Sequence, residues 1–290
     1  MGVVLGDNQY GKAQIRLMKV DRDAGTHVLH DLNVSVALSG DLAATHLVGD
    51  NSGVLPTDTQ KNTVYAFARE HGVGEIEDFA AMLARHFVDA TPGVHRARVR
   101  VEEYPWQRVA IAGGPAPHSF ARAGAETRTA TVTYDGQGEW VVSGVSELVL
   151  LSSTDSEFTG FRKDDYTTLP EATDRILCTA VTAEWRHSSP PVGWAGSHQA
   201  ARTALTEAFA DTYSRSLQQT LYAMGSRVLG ACDDVAEIRL RLPNRHHFLV
   251  DLSPFGLDNP GQVFHVDDRP YGLIEGTVLT DDATPAPEAW

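Results

Sequence analysis

The run Thr57-Asp58-Thr59-Gln60-Lys61-Asn62-Thr63-Val64-Tyr65-Ala66-Phe67-Ala68, which follows Pro56, is the stretch from which the fold is best interpreted. Thr57 and Gln60 have the spacing of a capping box, in which each side chain accepts a hydrogen bond from the other residue's backbone N–H. They predict a helix that starts at Thr57 and buries Val64, Phe67 and Ala68 on one face. The N-terminus of such a helix can bind a small anion. On this pattern alone, a threonine that only caps its helix is the more common case.

The strand before this helix shows the clearest alternation in the sequence. Its apolar positions share one parity and its polar positions the other: Val28, Leu32, Val34, Val36 and Leu38 against Asp31, Asn33 and Ser35. Such a period of two is typical of a strand with one buried face. The helix that follows the central run repeats apolar residues at helical spacing, at Ile76, Phe79, Leu83 and Phe87.

Strands and helices then follow one another in the same order in both halves of the chain. The first half is predicted to have strands over 10–20, 28–38, 95–103 and 128–134, with an Ala/Gly/Pro-rich connection over 113–124. The second half is predicted to have strands over 140–151, 174–186, 235–242, 246–252 and 272–279 and helices over 197–213 and 216–230. This order predicts an α+β fold of two tandem modules, each with two helices on one face of an antiparallel four-stranded sheet. The modules are expected at 8–138 and 139–280, with a disordered tail at 281–290.

The acidic balance of the chain excludes two classes of partner. The formal net charge is −14, whereas proteins that bind nucleic acids or anionic membranes need basic surface. A site for an anionic ligand must therefore be positive locally, against the sign of the whole. Only two cysteines occur, Cys178 and Cys232, so no disulfide framework is predicted, although a single bridge stays open. Because neither a signal peptide nor an apolar membrane span is recognisable, the expected location is the cytoplasm.

Four further stretches contain residue types that can bind ligands and move protons. They are Tyr10-Gly11-Lys12, Ser156 to Arg175, Leu217 to Tyr222 and Leu242 to Phe248. Taken singly, each candidate has an ordinary structural interpretation. Lys12 and Gln218 would be solvated surface residues, and Arg175 would form a surface ion pair. In the same way Phe158 would be a core ring, Asn244 a turn residue and His246 a packed ring.

Together with the central run, these stretches resemble the motifs of the urate oxidase (uricase) family, in the same order and over nearly the whole chain. The resemblance implies the tunnelling fold (T-fold), in which each chain supplies two modules and subunits join edge to edge into a barrel. Closing the barrel removes the unpaired edges that an open sheet leaves. The resemblance also implies a homotetramer with active sites at subunit interfaces.

The activity that the resemblance implies is oxidation of urate by O2 and water to 5-hydroxyisourate and hydrogen peroxide, without a metal or flavin. The catalytic group would be a proton relay of Lys12, Thr57 and His246, with Lys12 paired to Thr57 of a neighbouring subunit. His246 is preferred to His247 because adjacent residues of a strand face opposite ways.

The substrate-binding residues implied by the resemblance would contact the purine ring of urate from several sides. Phe158 would stack on the purine, with Arg175 and Gln218 at opposite edges. Leu217 would bind through its backbone N–H, and Asn244 would lie where dioxygen binds. Thr57 and Asp58 would come from a different subunit than Phe158 and Arg175.

Two alternatives remain open at the level of sequence. One is a pterin-type enzyme of the same fold, some of which hold zinc with three histidines. The other is a purine-binding protein without turnover. No spacing typical of a metal site, a nucleotide-binding glycine motif or a serine nucleophile is recognisable.

Overall fold

The computed structural model describes residues 2–22 and 25–290, and the chain forms two compact units. The first unit is Met1–Gly144 together with Thr284–Trp290, and the second is Val145–Ala283. The strand β7 (Glu139–Ser152) crosses from one unit to the other. No helix in the described part of the chain is long and apolar enough to cross a membrane.

The first unit contains an antiparallel sheet with the strand order β1-β2-β3-β6. Its strands are β1 (Tyr10–Asp21), β2 (Val28–Gly40), β3 (Val94–Tyr104) and β6 (Thr127–Tyr134). Its helices are α1 (Ala43–Val48), α2 (Thr57–Glu70) and α3 (Ile76–Ala90). A separate two-stranded hairpin, β4 (Trp106–Ile111) and β5 (Gly114–Arg122), lies in the chain between β3 and β6.

The core of the first unit lies between this sheet and α3. The predicted alternation of β2 is confirmed from Leu32 to Leu38, where Leu32, Val34 and Leu38 are fully buried. It is wrong at the start of the strand, where Val28 is exposed and Asp31 is buried. The predicted stripe of α3 is confirmed as well, and α3 packs against β3 and β6 through Ile76, Phe79, Leu83 and Phe87, all fully buried. Burial of each such side chain stabilises the fold by roughly 1.5–3 kcal/mol.

The second unit repeats the order of strands and helices. Its elements after β7 are β8 (Leu177–His187), α4 (Trp194–Asp211), α5 (Leu217–Ala231), β9 (Val235–Leu249), a short 3-10 helix (Ser253–Phe255) and β10 (Phe264–Leu279). The strands β8, β9 and β10 pair antiparallel in that order. Its core includes Trp185, Leu205, Met224, Ile238 and Leu242. The predicted α+β fold, with helices laid on antiparallel sheets in each half, is therefore confirmed.

Two predicted connections turn out to be regular structure. The stretch 113–124 was expected to be a connection without a strand, but most of it forms β5. Gly113 and Gly114 adopt positive φ angles of 101° and 129° and allow the tight turn before this strand. The turn expected at Leu242 to Arg245 is absent, and β9 runs through it as one strand. Pairing with β8 on one side and β10 on the other keeps this backbone extended despite Pro243.

The expectation of a disordered tail over 281–290 is wrong. Pro287–Ala289 forms a 3-10 helix that packs against β6. Arg96 donates to the carbonyl of Glu288 at 3.2 Å and Arg98 to that of Ala289 at 3.4 Å, and Ala289 is buried. Hydrogen bonds from these two arginines offset the entropy of ordering the segment.

A buried carboxylate ties α3 to the sheet of the first unit. Glu77, which is fully buried, accepts hydrogen bonds from Arg128 Nη2 and from Ser143 Oγ, each at 2.7 Å. Desolvation raises the pKa of Glu77, and the attraction of Arg128 and the bond from Ser143 oppose this rise. Arg128 also donates to Glu75 at 2.8 Å. The charge on Glu77 is therefore tolerated only because Arg128 is beside it.

Replacing Arg128 by methionine is expected to destabilise the protein strongly, because a buried carboxylate loses its counter-charge. The free energy of unfolding should fall by about 3–5 kcal/mol at neutral pH. Urea denaturation measures this loss. Arg85→Met is the matched control: Arg85 donates to Glu139 at 2.6 and 2.7 Å, but it is exposed, so the loss should be at most about 1 kcal/mol.

The loss in Arg128→Met should also depend on pH. Glu77 has a higher pKa in the folded chain than in the unfolded one, so the folded state binds more protons and stability falls as pH rises through the window between these pKa values. Removing Arg128 raises the pKa of Glu77 in the folded chain further. The pH range over which stability falls therefore extends to higher pH. The variant's deficit should therefore shrink as the pH is lowered toward about 5. A deficit independent of pH would contradict this account of Glu77.

Candidate active site

A cavity of about 350 Å³ in the second unit gathers residues from distant parts of the sequence. Six of the predicted site residues line it: Phe158, Arg175, Leu217, Gln218, Asn244 and His246. A larger cavity of about 720 Å³ in the first unit, beside Ser39, Gly40 and Arg96, contains none of the predicted residues. We therefore place the candidate site in the smaller cavity.

An aromatic wall on one side of the cavity is built by a tight turn. Phe158 forms an isolated bridge with Ala172, with N–H to carbonyl distances of 2.7 and 3.0 Å in the two directions. Gly160 has a φ of 68°, and the chain then returns so that Phe161 stacks on Phe158, with ring centroids 4.9 Å apart and an interplanar angle of 13°. The Phe158 ring is thus backed on one side, which fixes the face that it offers a planar ligand.

Arg175 supplies a positive charge that the protein leaves uncompensated. Its guanidinium carbon lies 5.3 Å from the centroid of the Phe158 ring, and its backbone N–H donates to the carbonyl of Ser156 at 2.8 Å. Its Nε is buried and has no hydrogen-bond partner among the described residues. Burial lowers the pKa of Arg175, and no carboxylate of the described chain opposes this shift. Although the chain has a net charge of −14, the positive charge of Arg175 makes this part of the cavity suitable for an anionic ligand.

The N-terminus of α5 provides further donors at the same cavity. The Oγ of Ser216 accepts a hydrogen bond from the N–H of Gln219 at 3.2 Å, and the Ser216 carbonyl accepts from the N–H of Thr220 at 3.2 Å. The N–H groups of Leu217 and Gln218 remain for a ligand, because the first four N–H groups of a helix have no partner inside it. The helix dipole adds to the positive potential there. The exposed Gln218 amide has no partner in the described chain.

The strand β9 contributes an amide and an imidazole. Asn244 pairs with Thr179 on β8 and with Gly272 on β10, so its position is held from both sides. The His246 ring stacks on Phe248 at 5.7 Å, and it has no hydrogen-bond partner within residues 2–22 and 25–290. His247 also lines the cavity, but the carbonyl of Arg245 lies 3.2 Å from its Nδ1. Strand alternation therefore does not by itself exclude His247 from the cavity, whereas the unbonded ring favours His246 as the proton carrier.

Thr57 begins α2, but the predicted capping box is wrong. The N-cap is Pro56, with φ −54° and ψ 139°, and no side chain caps the helix. The fixed φ of proline already suits this position. Gln60 is fully buried instead, and its Nε2 donates to the carbonyl of Leu55 at 3.3 Å. The Thr57 hydroxyl is therefore not used for capping.

Lys12 lies near this helix end within its own chain. The pKa of Asp58 is lowered first by a hydrogen bond and an ion pair with Lys61, and the charge of Lys12 adds to this effect. The pairing of Lys12 with Thr57 of a neighbouring subunit stays a prediction, and the effect of Lys12 on Asp58 within one chain favours a pairing inside that chain. Lys12, Thr57 and Asp58 all belong to the first unit.

Several lining residues were missed by sequence reasoning. Leu169, Pro170, Ile176 and Ile274 give the cavity an apolar rim, and Phe248 stacks on His246. Phe248 could have been found, since it shares the strand parity of Asn244 and His246. The others follow from no local pattern. Among the described residues no three His, Cys, Asp or Glu side chains are grouped so as to hold a metal ion, and both cysteines are free and buried.

Comparison with known proteins identifies the family. Residues 8–133 and 141–275 match the family model of uricase. The chain belongs to the uricase family. It is 46% identical over 288 residues to the uricase of Arthrobacter globiformis, which covers 99% of this chain and 94% of that protein. It is 36% identical over 276 residues to the uricase of Dictyostelium discoideum, covering 94% of this chain and 96% of that protein.

Solved structures of the uricase family agree with the fold described above. The crystal structure of the Arthrobacter globiformis uricase has a TM-score of 0.93 to this chain at 46% identity, and covers 99% of this chain and 98% of that one. A uricase from Bacillus fastidious has a TM-score of 0.82 at 23% identity, covering 96% and 95% of the two chains. The second likeness concerns the fold alone.

The cap of α5 can be tested by changing Ser216. Ser216→Ala removes the acceptor for the Gln219 N–H, so the free energy of unfolding should fall by about 1 kcal/mol. Ser216→Thr keeps a hydroxyl at the cap and should retain most of the stability. Urea denaturation of the three proteins measures this. Equal stability of the serine and alanine forms would show that the cap does not hold this end of the cavity.

Proposed function

We propose that this protein is a urate oxidase, which converts urate, O2 and water into 5-hydroxyisourate and hydrogen peroxide. The observation that carries the proposal is the uncompensated Arg175 guanidinium beside the Phe158 ring, in a cavity that also receives the N-terminus of α5. Such a cavity suits a flat anion, and urate is a flat anion at neutral pH. Membership of the uricase family supports the same substrate.

In this proposal, different residues of the cavity contact different parts of the urate ring. The Phe158 face stacks on the purine, and the paired donors of Arg175 meet one edge of acceptors. The Gln218 amide and the Leu217 N–H meet the opposite edge. A purine that lacks the matching oxygens would leave these donors unpaired, and the cost of doing so gives specificity.

The chemistry needs a proton acceptor and a place for dioxygen. We assign proton transfer to Lys12, Thr57 and His246, which take a further proton from the bound urate anion. Two electrons then pass from the electron-rich ring to O2, which takes up the one proton held by the relay and a second proton from solvent and leaves as hydrogen peroxide. Water adds to the oxidised ring and gives 5-hydroxyisourate. Asn244 holds the dioxygen, and the substrate itself acts as the reductant, so no cofactor is required.

The active site is proposed to be shared between protomers of a homotetramer. In this arrangement Lys12, Thr57 and Asp58 of one protomer meet Phe158, Arg175 and Gln218 of its neighbour. The edge strands β1 and β10 support such an assembly, since each has a pairing partner on one side only. The free cysteines, Cys178 and Cys232, support a location in the reducing cytoplasm.

The deciding experiment is an assay of the purified protein after treatment with a strong chelator. Loss of urate absorbance, consumption of O2 and formation of peroxide should proceed in equal amounts. Urate binding without turnover would instead indicate a purine-binding protein. Turnover that is lost on chelation and restored by zinc would indicate a metal-dependent enzyme of the pterin type.

Two single substitutions should separate binding from proton transfer. Lys12→Met removes the amine of the relay, so kcat should fall by about 10²-fold or more with KM nearly unchanged. Arg175→Ala removes the charge that meets the anion, so KM should rise and kcat/KM should fall more than kcat. Arg215→Ala, an exposed arginine, is the control for loss of positive charge and should behave like the wild type.

A mixing experiment tests whether the site is shared. Lys12→Met and Arg175→Ala subunits, each strongly impaired alone at low urate concentration, are unfolded and refolded together and assayed at that concentration. If each site takes Lys12 from one protomer and Arg175 from another, random mixing should restore about a quarter of the wild-type activity. No restoration would show that one protomer supplies both residues.

A further inference from the structure

The strand β1 contains a β-bulge directly after Lys12. Lys12 pairs with Val36 on β2, and Ile15 pairs with Val34, so one extra residue lies on β1 between the two pairs. Residues directly opposite in antiparallel strands share a face, and both valines are buried on the core face. The bulge therefore puts Lys12 on the same face as Ile15. Without it, alternation would turn Lys12 to the other side of the sheet.

The backbone around Lys12 is held in this arrangement by specific contacts. Gln14 has a φ of 57°, a left-handed conformation uncommon for a non-glycine residue, and its N–H donates to Ser35 Oγ at 3.1 Å. Before Lys12, a Cβ at Gly11 would lie only 1.8 Å from the carbonyl oxygen of Val36. Only glycine permits this close approach of β1 to β2.

Tyr10 joins this end of β1 to the start of α2. Its hydroxyl donates to the carbonyl of Leu55 at 3.1 Å, and the buried Gln60 donates to the same oxygen through Nε2 at 3.3 Å. Leu55 is two residues before Thr57. Burial raises the pKa of Tyr10, and its hydrogen bonds with Leu55 and Gln60 oppose that rise. The Leu55 carbonyl, directly before Pro56, therefore holds Tyr10, which is two residues before Lys12.

We propose that Tyr10 is a positioning residue of the proton relay: its hydrogen bond to Leu55 sets where Lys12 stands relative to Thr57. The inference rests on the proposed function, in which these two side chains exchange a proton. Proton transfer requires heavy atoms within hydrogen-bond distance, and a displacement of an ångström between them slows it greatly. Urate binding, by contrast, depends on the cavity of the second unit.

Tyr65 offers a matched control on the same pair of elements. Its hydroxyl donates to the carbonyl of Arg16 at 3.3 Å, so it also joins α2 to β1 by a tyrosine-to-carbonyl bond. This bond lies beyond the bulge, on the side away from Lys12. Loss of either hydroxyl removes the same kind of bond, but only Tyr10 bears on the position of Lys12.

The experiment compares Tyr10→Phe and Tyr65→Phe with the wild type in the full-length protein. Tyr10→Phe should lower kcat roughly tenfold and change KM less than about twofold. The solvent deuterium isotope effect on kcat should increase, because proton transfer then limits the rate. Tyr65→Phe should keep the wild-type kcat, and both variants should show a similar small drop in the midpoint of thermal unfolding.

Several outcomes would overturn the proposal. Equal kcat in the two variants, or a Tyr10→Phe defect that appears only in KM, would show that Tyr10 is structural or acts on binding. A wild-type protein without urate turnover would refute the proposed function itself. Full activity of Lys12→Met alongside an active wild type would remove the relay, and the role of Tyr10 with it.

Discussion

The candidate site in the second unit is organised around the half-buried Arg175 guanidinium, which has no carboxylate beside it among the described residues. Removing Arg175 from water costs free energy, and the lowered pKa of its side chain expresses that cost. The neighbouring N-terminus of α5 is also positive, so it adds to this charge and does not compensate it. The core around Trp185 and Met224 supplies the stability that tolerates this arrangement. Under the proposed function, the anionic substrate supplies the missing negative charge.

In the first unit, the proposed proton relay requires that the flexible amine of Lys12 stays in one position. Lysine has a long side chain with high rotamer entropy, so its position depends on the backbone that carries it. The bulge after Lys12, the close approach at Gly11 and the Tyr10 bond to Leu55 all constrain that backbone. Departures from regular strand geometry of this kind occur often at functional sites, where they aim a side chain.

Several candidate site residues lie where regular structure begins or is interrupted, whereas Asn244 and His246 lie within β9. Thr57 and Leu217 are each the first residue of a helix, Phe158 lies in an isolated bridge, and Lys12 precedes a bulge. Sheets and helices supply a rigid frame, and their ends and irregularities present unsatisfied groups to a ligand. A urate oxidase that uses its substrate as reductant needs only such positioned donors and acceptors, because the electrons come from the ring.

Sequence patterns predicted much of the frame and less of its details. Alternation located β2 and the apolar stripe located α3, because burial imposes periods that are visible along the chain. The prediction that Thr57 caps α2 failed because Pro56 already occupies the N-cap position. The predicted break between strands at Pro243 failed because β8 and β10 pair with β9 on both sides and keep its backbone extended. The tail was misjudged because its partners, Arg96 and Arg98, are remote in sequence.

The sequence by itself determined the α+β class, the repeated order of elements and the residue types that resemble the uricase family, since these depend on local periodicity and on motif order. Only the tertiary structure decided that Phe158, Arg175, Gln218 and His246 line one cavity, and that Lys12 faces the core side of β1. Those facts follow from strand register and a single extra residue. Register is set by contacts between distant segments, which no local pattern contains.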